Sequence, residues 1–319
     1  MKKLLTIIPL VFLLCFTFGC QQGEEVAEEA AIGLEAAIGE GLPIIDVHVH
    51  AYPVWQGEKP DWFPKDVYLP KTDEEFTKMT FEMFERFNIV RAVVSGDPLW
   101  VDKWRKKFPI KIISGWSNSI LGNSQEDLKS LERKIIDGQI EVIGEIGAQY
   151  AGLAPNDSLL EPYYALAERL DVPFAIHMGT GPQGTAFNFF PQYRMRNGNP
   201  LLLEDVLVRH PKLRVYIMHA GWPFGDEMVA LMFFYPNVYV DIGGSWMLPR
   251  AEFHSCLRRA VQAGFGKRIM FGSDQMFWPD GIELAIKSIE SADFLTEGQK
   301  RDIFYRNAKR FFRLEFILE

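Results

Sequence analysis

Four of the six histidines in this 319-residue chain, together with two of its acids, close short apolar runs in a way that could build a metal centre. The first run is Ile44-Ile45-Asp46-Val47-His48-Val49-His50, whose β-branched residues read as a buried strand. Residues two apart on a strand share a face and stand roughly 6–7 Å apart. His48 and His50 therefore present two imidazoles side by side at the strand's C-terminal end. Neutral imidazole is the commonest metal ligand, and a fixed pair can chelate a single cation. Asp46, two residues earlier, is placed to brace the pair from beneath. Alone, the motif fits hydrogen-bonded polar structure as well as it fits a metal site. Its weight comes from Glu145, His177, His219 and Asp274, each of which closes a later apolar run. All six are competent ligands for a divalent ion. Glu145 taken singly reads as a satisfied buried polar group, but four histidines at strand ends are hard to reach by accident. His210, before Pro211 at a helix end, and His254, inside a helix, read as structural or surface residues.

The elements that must position these residues alternate regularly. Strands are expected over residues 44–50, 89–94, 110–114, 141–144, 172–176, 213–218, 237–242 and 268–272, separated by amphipathic helical segments. One of those segments opens on the capping-box pattern Thr72-Asp73-Glu74-Glu75. Continuous apolar strands are what burial of both faces demands. Eight such units over roughly 250 residues match a single-domain (β/α)8 TIM barrel, an α/β fold. A doubly wound open sheet is the alternative, but no Gly-x-Gly-x-x-Gly follows a strand. In a closed barrel the C-terminal strand ends share one mouth, so six residues remote in sequence would converge there.

Before the barrel lies a different kind of sequence. Met1-Lys2-Lys3 and the apolar run over 4–18 form a secretory signal pattern, short of the roughly 20 residues a membrane span needs. Thr17-Phe18-Gly19-Cys20 resembles a bacterial lipobox, with Thr17 where leucine is usual. That resemblance implies a signal peptide over 1–19, lipidation of Cys20, and an exported lipoprotein of the cell envelope, facing the periplasm or the cell surface. A plain signal peptide cut nearby without lipid is the alternative. Residues 21–41 carry six glutamates and no cation, and cannot form a core; with Cys20 they read as a flexible acidic linker over 20–41. The folded domain is expected over 42–319, held to the membrane by the lipid alone. A net charge of −8 gives no basic footprint for nucleic acid. Cys256 is the one thiol expected beyond Cys20, so no internal disulfide forms, and none of the three cysteines has metal-ligand spacing. It reads as a small buried hydrophobe.

Asp46-Val47-His48-Val49-His50, His177, His219 and Phe271-Gly272-Ser273-Asp274 together resemble the amidohydrolase superfamily. More narrowly, they resemble its amidohydrolase-related (amidohydrolase 2) branch. Arg306-Asn307-Ala308-Lys309-Arg310-Phe311-Phe312 is similar to that branch's closing helix, so the resemblance covers about 44–314. It implies one or two divalent ions, zinc first and manganese as the alternative. In a mononuclear arrangement His48, His50, His177 and Asp274 would hold the ion and His219 would polarise substrate. In a binuclear one Glu145 would bridge, with His177 and His219 on the second ion. The implied reaction is hydrolysis of an amide, ester or lactone by metal-activated water, with Asp274 as general base and His219 helping to polarise the carbonyl. A metal-dependent decarboxylase of a small or aromatic carboxylate is the first alternative, and a non-catalytic binding lipoprotein the second. No Gly-x-Ser-x-Gly elbow supports a serine nucleophile.

The expected partner is a small-molecule substrate; an oligomer is compatible with the sequence. Trp55, Trp62, Trp116, Trp222, Trp246 and Trp278 fall on or beside the βα loops, either as rim packing or as an aromatic-walled pocket. Arg194, Arg196 and Arg250 are candidates for holding a substrate carboxylate. The loop 179–199, opening on Gly179-Thr180-Gly181, is expected to fold over the mouth.

Overall fold

The computed structural model describes residues 41–57, 67–117 and 125–315. The signal segment, Cys20, most of the acidic linker and Trp62 lie outside the described residues. Eight strands build the unit Ile44–Glu319: β1 (Ile44–Ala51), β2 (Ile89–Gly96), β3 (Ile112–Trp116), β4 (Val142–Ile146), β5 (Phe174–His177), β6 (Val215–Met218), β7 (Val238–Asp241) and β8 (Ile269–Met270). They pair in sequence order, each with the next and all in parallel. Parallel neighbours need a crossover rather than a hairpin. Helices supply it: α1 (Asp73–Arg86), α2 (Pro98–Lys107), α3 (Gln125–Ile136), α4 (Glu161–Leu170), α5 (Glu204–Arg209), α6 (Gly225–Phe234) and α7 (Arg250–Ala260), with α8 (Gly281–Glu290) following β8. The cylinder closes where the Val47 N–H donates to the Phe271 carbonyl at 2.9 Å and the Asp274 N–H donates to the His48 carbonyl at 2.8 Å. This is a (β/α)8 TIM barrel. Among the described residues no helix is long and apolar enough to cross a membrane.

Two departures from the expected elements bear on the site. β8 is two residues long rather than five, because the following N–H groups leave the ladder. Phe271 donates to the carbonyl of Ile303, and Ser273 to the Asp46 carboxylate at 2.9 Å. The C-terminal helical segment is accordingly interrupted: α9 (Glu297–Arg301) and α10 (Asn307–Phe312) flank a widened turn, Asp302–Arg306, which holds that Ile303 carbonyl.

The register of β1 against β2 also shifts between Asp46 and Val49. Below the shift Ile45 and Val47 join Val93, Ile113, Val142, Ala175, Tyr216 and Met270 in a cluster that draws on nearly every strand and fills the barrel axis. Above it His48 and His50 take over the inward face. Asp46 therefore does not sit under the imidazoles. Its carboxylate accepts from the His48 N–H at 3.1 Å and the Ser273 N–H, tying β1 to the segment after β8 at the irregularity.

Candidate metal centre at the barrel mouth

The six residues converge. His48 Nε2 and His50 Nε2 lie 3.2 Å apart. Glu145 Oε2 lies 3.3 Å from the first and 3.2 Å from the second. Asp274 Oδ1 approaches the same two nitrogens at 3.6 and 3.1 Å. The other oxygen of Glu145, Oε1, lies 3.6 Å from His219 Nε2. The rings of His177 and His219 stand 4.5 Å apart. Among the described residues, donor atoms within 4.8 Å of one another therefore form three sets: His48/His50/Glu145, His48/His219/Asp274 and Glu145/His177/His219.

Each imidazole has one nitrogen held by the protein and the other aimed at this common space. His48 Nδ1–H donates to Asp241 at 3.1 Å, and His219 Nδ1–H to the Gly243 carbonyl at 2.9 Å. His50 Nδ1 lies 3.4 Å from Ser95 Oγ, and His177 Nε2 lies 3.1 Å from the Tyr150 hydroxyl. The atoms left buried without a hydrogen-bond partner include His177 Nδ1, His219 Nε2 and Asp274 Oδ1. Buried polar atoms are normally satisfied, so lone pairs converging on one space are what a cation would satisfy. Four imidazoles and two carboxylates suit zinc or manganese, and the protein groups behind each imidazole fix its tautomer as metal-ligating histidines require.

The strand ends are shaped to permit this approach. A Cβ at Gly243 would collide with His48 Nδ1, and one at Gly244 would come within 2.8 Å of Asp274 Oδ2. His219 and Asp274 hold left-handed backbone, φ 57° and 50°. Such strain costs on the order of 1–3 kcal/mol per residue and persists only where the surroundings impose it. For Asp274 they do so through its N–H bond to His48. His50 is clamped by Gln275, whose side chain accepts from its N–H at 2.8 Å and donates to its carbonyl at 2.6 Å.

Burial and the charges of the protein shift the proton affinities here in both directions. Burial is the largest influence on Asp274 and opposes its ionisation, yet His48, His50 and His219 outweigh it and hold the carboxyl at about 2. Glu145 is likewise held well below the carboxylate range, against burial, chiefly by His48 and His219. His48, His50 and His219 are each opposed by burial but raised by the surrounding carboxylates. His177 is the exception: burial, then His219, push it down to about 3, so it keeps a free lone pair. Binding a metal to such ligands displaces protons.

Asp241 stands directly behind these ligands, although it is not among the strand-end candidates. Fully buried at the end of β7, it accepts from the His48 ring, from the His219 N–H at 3.0 Å and from the Gly243 N–H at 2.8 Å. The same signal marks it, a polar residue closing an apolar run, but that run reads on through Ile242. Tyr52, stacked 5.4 Å from the His50 ring, and Phe277 and Trp55 beyond it form an aromatic wall on one side.

Other sequence candidates are placed elsewhere. Trp278 has no exposed surface and packs edge-on behind Trp246. Trp246 is half-buried and donates to the Ser273 carbonyl at 2.8 Å, next to the site. Trp222 is half-buried and bonded to Glu252, and Trp116 is stacked in the core on Tyr163. Arg194, Arg196 and Arg250 are exposed, Arg194 bonding the carbonyls of Pro191 and Tyr193 in its own loop. The ion-pair partners of Glu145 and Asp274 are histidines. His210 lies between Glu161 and Glu168, and His254 bonds the Ser288 carbonyl, both as structural links. Cys256 is half-buried beside Glu252 rather than fully enclosed, because α7 turns it toward the surface.

A family model described as Amidohydrolase matches residues 45–314, from the second residue of β1 to just beyond α10. The chain belongs to the amidohydrolase family. It is a metal-dependent enzyme of that family, as the resemblance of its strand-end residues implied. Over 158 residues it is 24% identical to protein fluG of Emericella nidulans, a match covering 44% of this chain and 17% of that protein, less than a fifth of its length. An uncharacterized TIM-barrel protein from Bordetella bronchiseptica has a similar fold, with a TM-score of 0.68 and 20% identity over 85% of this chain and 99% of that one. A 5-carboxyvanillate decarboxylase from Novosphingobium aromaticivorans, solved with manganese bound, gives a TM-score of 0.60 at 11% identity, covering 85% of this chain and 97% of that one. At these identities the likeness is one of fold.

Proposed function

We propose that this member of the amidohydrolase family is a two-ion hydrolase that cleaves an amide, ester or lactone bond in a small molecule. One observation supports the reading above others: the two oxygens of Glu145 face different histidine pairs, Oε2 toward His48 and His50 and Oε1 toward His219, beside His177. A carboxylate so placed can serve two ions at once. Zinc, or else manganese, held there would supply Lewis acidity and lower the pKa of a bound water. Asp274, at the mouth and close to His50, is the group positioned to take a proton from the attacking water and return it to the leaving group. His219, its Nδ1–H committed to Gly243, keeps Nε2 turned toward the reacting carbonyl or an ion.

The second reading, a one-ion decarboxylase, is favoured by the fold likeness to the manganese-bound 5-carboxyvanillate decarboxylase. Metal counting separates the two. Two equivalents in the wild-type protein, falling to one with loss of turnover in Glu145→Ala, is the expected result. One equivalent, with Glu145→Ala fully active and carbon dioxide released from an aromatic carboxylate, would sink the hydrolase. We further propose that the enzyme is anchored in the cell envelope through lipid on Cys20; fatty-acid labelling that persists in Cys20→Ala would exclude it.

A further inference from the structure

Resting on the two-ion reading, we infer that Tyr150 is a positioning residue that presents His177 to the second ion and links that half of the site to the loop 179–199. Tyr150 lies in the turn Ala148–Ala151, just past Glu145 on β4. Its hydroxyl is 3.1 Å from His177 Nε2, and the two rings meet edge to face at 5.0 Å. His177 can offer Nδ1 to an ion only if its proton sits on Nε2, and the phenol oxygen is the acceptor that holds it there. The opposite tautomer would aim an N–H from Nδ1 into a buried place where that atom has no partner.

The other three histidines are held from the strands or the residues that immediately follow them, by Asp241, Ser95 and the Gly243 carbonyl. Tyr150 is held from the loop instead. Its ring packs against Phe190 and Tyr193 at 5.1 Å each. A Cβ on Gly181 would come within 2.8 Å of its hydroxyl oxygen, so the loop backbone lies directly against it. Tyr193 fixes that backbone by accepting from the Gly181 N–H at 2.5 Å and from Gln149 at 3.0 Å, while Gln149 also donates to the Gly179 carbonyl at 2.9 Å. The seating of the loop and the tautomer of His177 thus share one side chain.

The test titrates metal-stripped full-length protein with Zn²⁺ and follows hydrogen exchange in peptides spanning 179–199. Tyr150→Phe keeps the ring packing and removes only the acceptor. It is expected to retain the first ion, whose unchanged affinity reports a folded site, and to bind the second about 10–100-fold more weakly. The metal-induced protection of the loop should be lost with it. Tyr193→Phe, which removes a hydroxyl that bonds the loop but does not touch His177, should loosen the loop while weakening the second ion much less than Tyr150→Phe does. If the wild type binds two ions and Tyr150→Phe binds both equally well, the role of Tyr150 is overturned while the two-ion reading stands. Equal weakening by both variants would overturn it as general loop packing. A wild type that takes up one ion overturns both.

Discussion

Replacing Asp274 by asparagine is expected to lower kcat by about 10²–10⁴-fold, the range a positioned general base contributes, with a much smaller change in bound metal. The amide matches the carboxylate in size and keeps an oxygen that can face His50, now 3.1 Å from Oδ1. The backbone bond from residue 274 to the His48 carbonyl does not involve the side chain and should survive. What disappears is a group able to accept and return a proton. Steady-state kinetics on the substrate that a panel of lactones, esters and amides reveals, paired with metal analysis of the same preparation, is the check. If kcat stays within tenfold of wild type at full metal content, Asp274 is a ligand only and the proposed chemistry is wrong.

Asp241→Ala should be the most destabilising change near the site, costing about 3–5 kcal/mol, as when one partner of a buried charged pair is removed. Three donors converge on this fully buried carboxylate, the His48 ring and the N–H groups of His219 and Gly243. For a domain of this size the cost corresponds to a fall in Tm of about 6–20 °C. Asp241→Asn should be milder in stability yet severe in metal affinity. Its oxygen can still accept from the two backbone groups, but its NH₂ then faces His48 Nδ1 and favours the tautomer that protonates Nε2. Thermal unfolding in chelator and metal content of both variants are the measurements. A Tm for Asp241→Ala within two degrees of wild type would show that the three bonds contribute little.

The strand-end pattern picks out the histidines because each terminates a run that must be apolar on both faces, which makes a polar residue conspicuous. It missed Asp241, where Ile242 disguises the end of the strand. It could not reach Tyr150 or Gln275, since each meets its histidine from a turn or loop whose position no local pattern encodes. Trp278 follows a strand and so reads as rim packing or as a pocket wall, yet it is fully enclosed beside Trp246. Arg194 and Arg250 suit a carboxylate by type; the loop of the first and the start of α7, which carries the second, leave both exposed. Simple alternation places Asp46 beneath the imidazoles, and the register shift on β1 moves it to the seam with the segment after β8.

What the amino-acid order determined by itself is the repeating strand and helix, and with it a cylinder whose strand ends carry histidines and acids. Burial on two faces requires long apolar runs, and those runs are local and therefore readable. Only the tertiary structure decided that Glu145 turns one oxygen to each histidine pair, that Asp241 orients His48, and that a tyrosine from a turn holds His177. Those relations depend on the angular order of strands around the closed barrel and on the register between them, which arise when distant segments pack and have no counterpart in neighbouring residues.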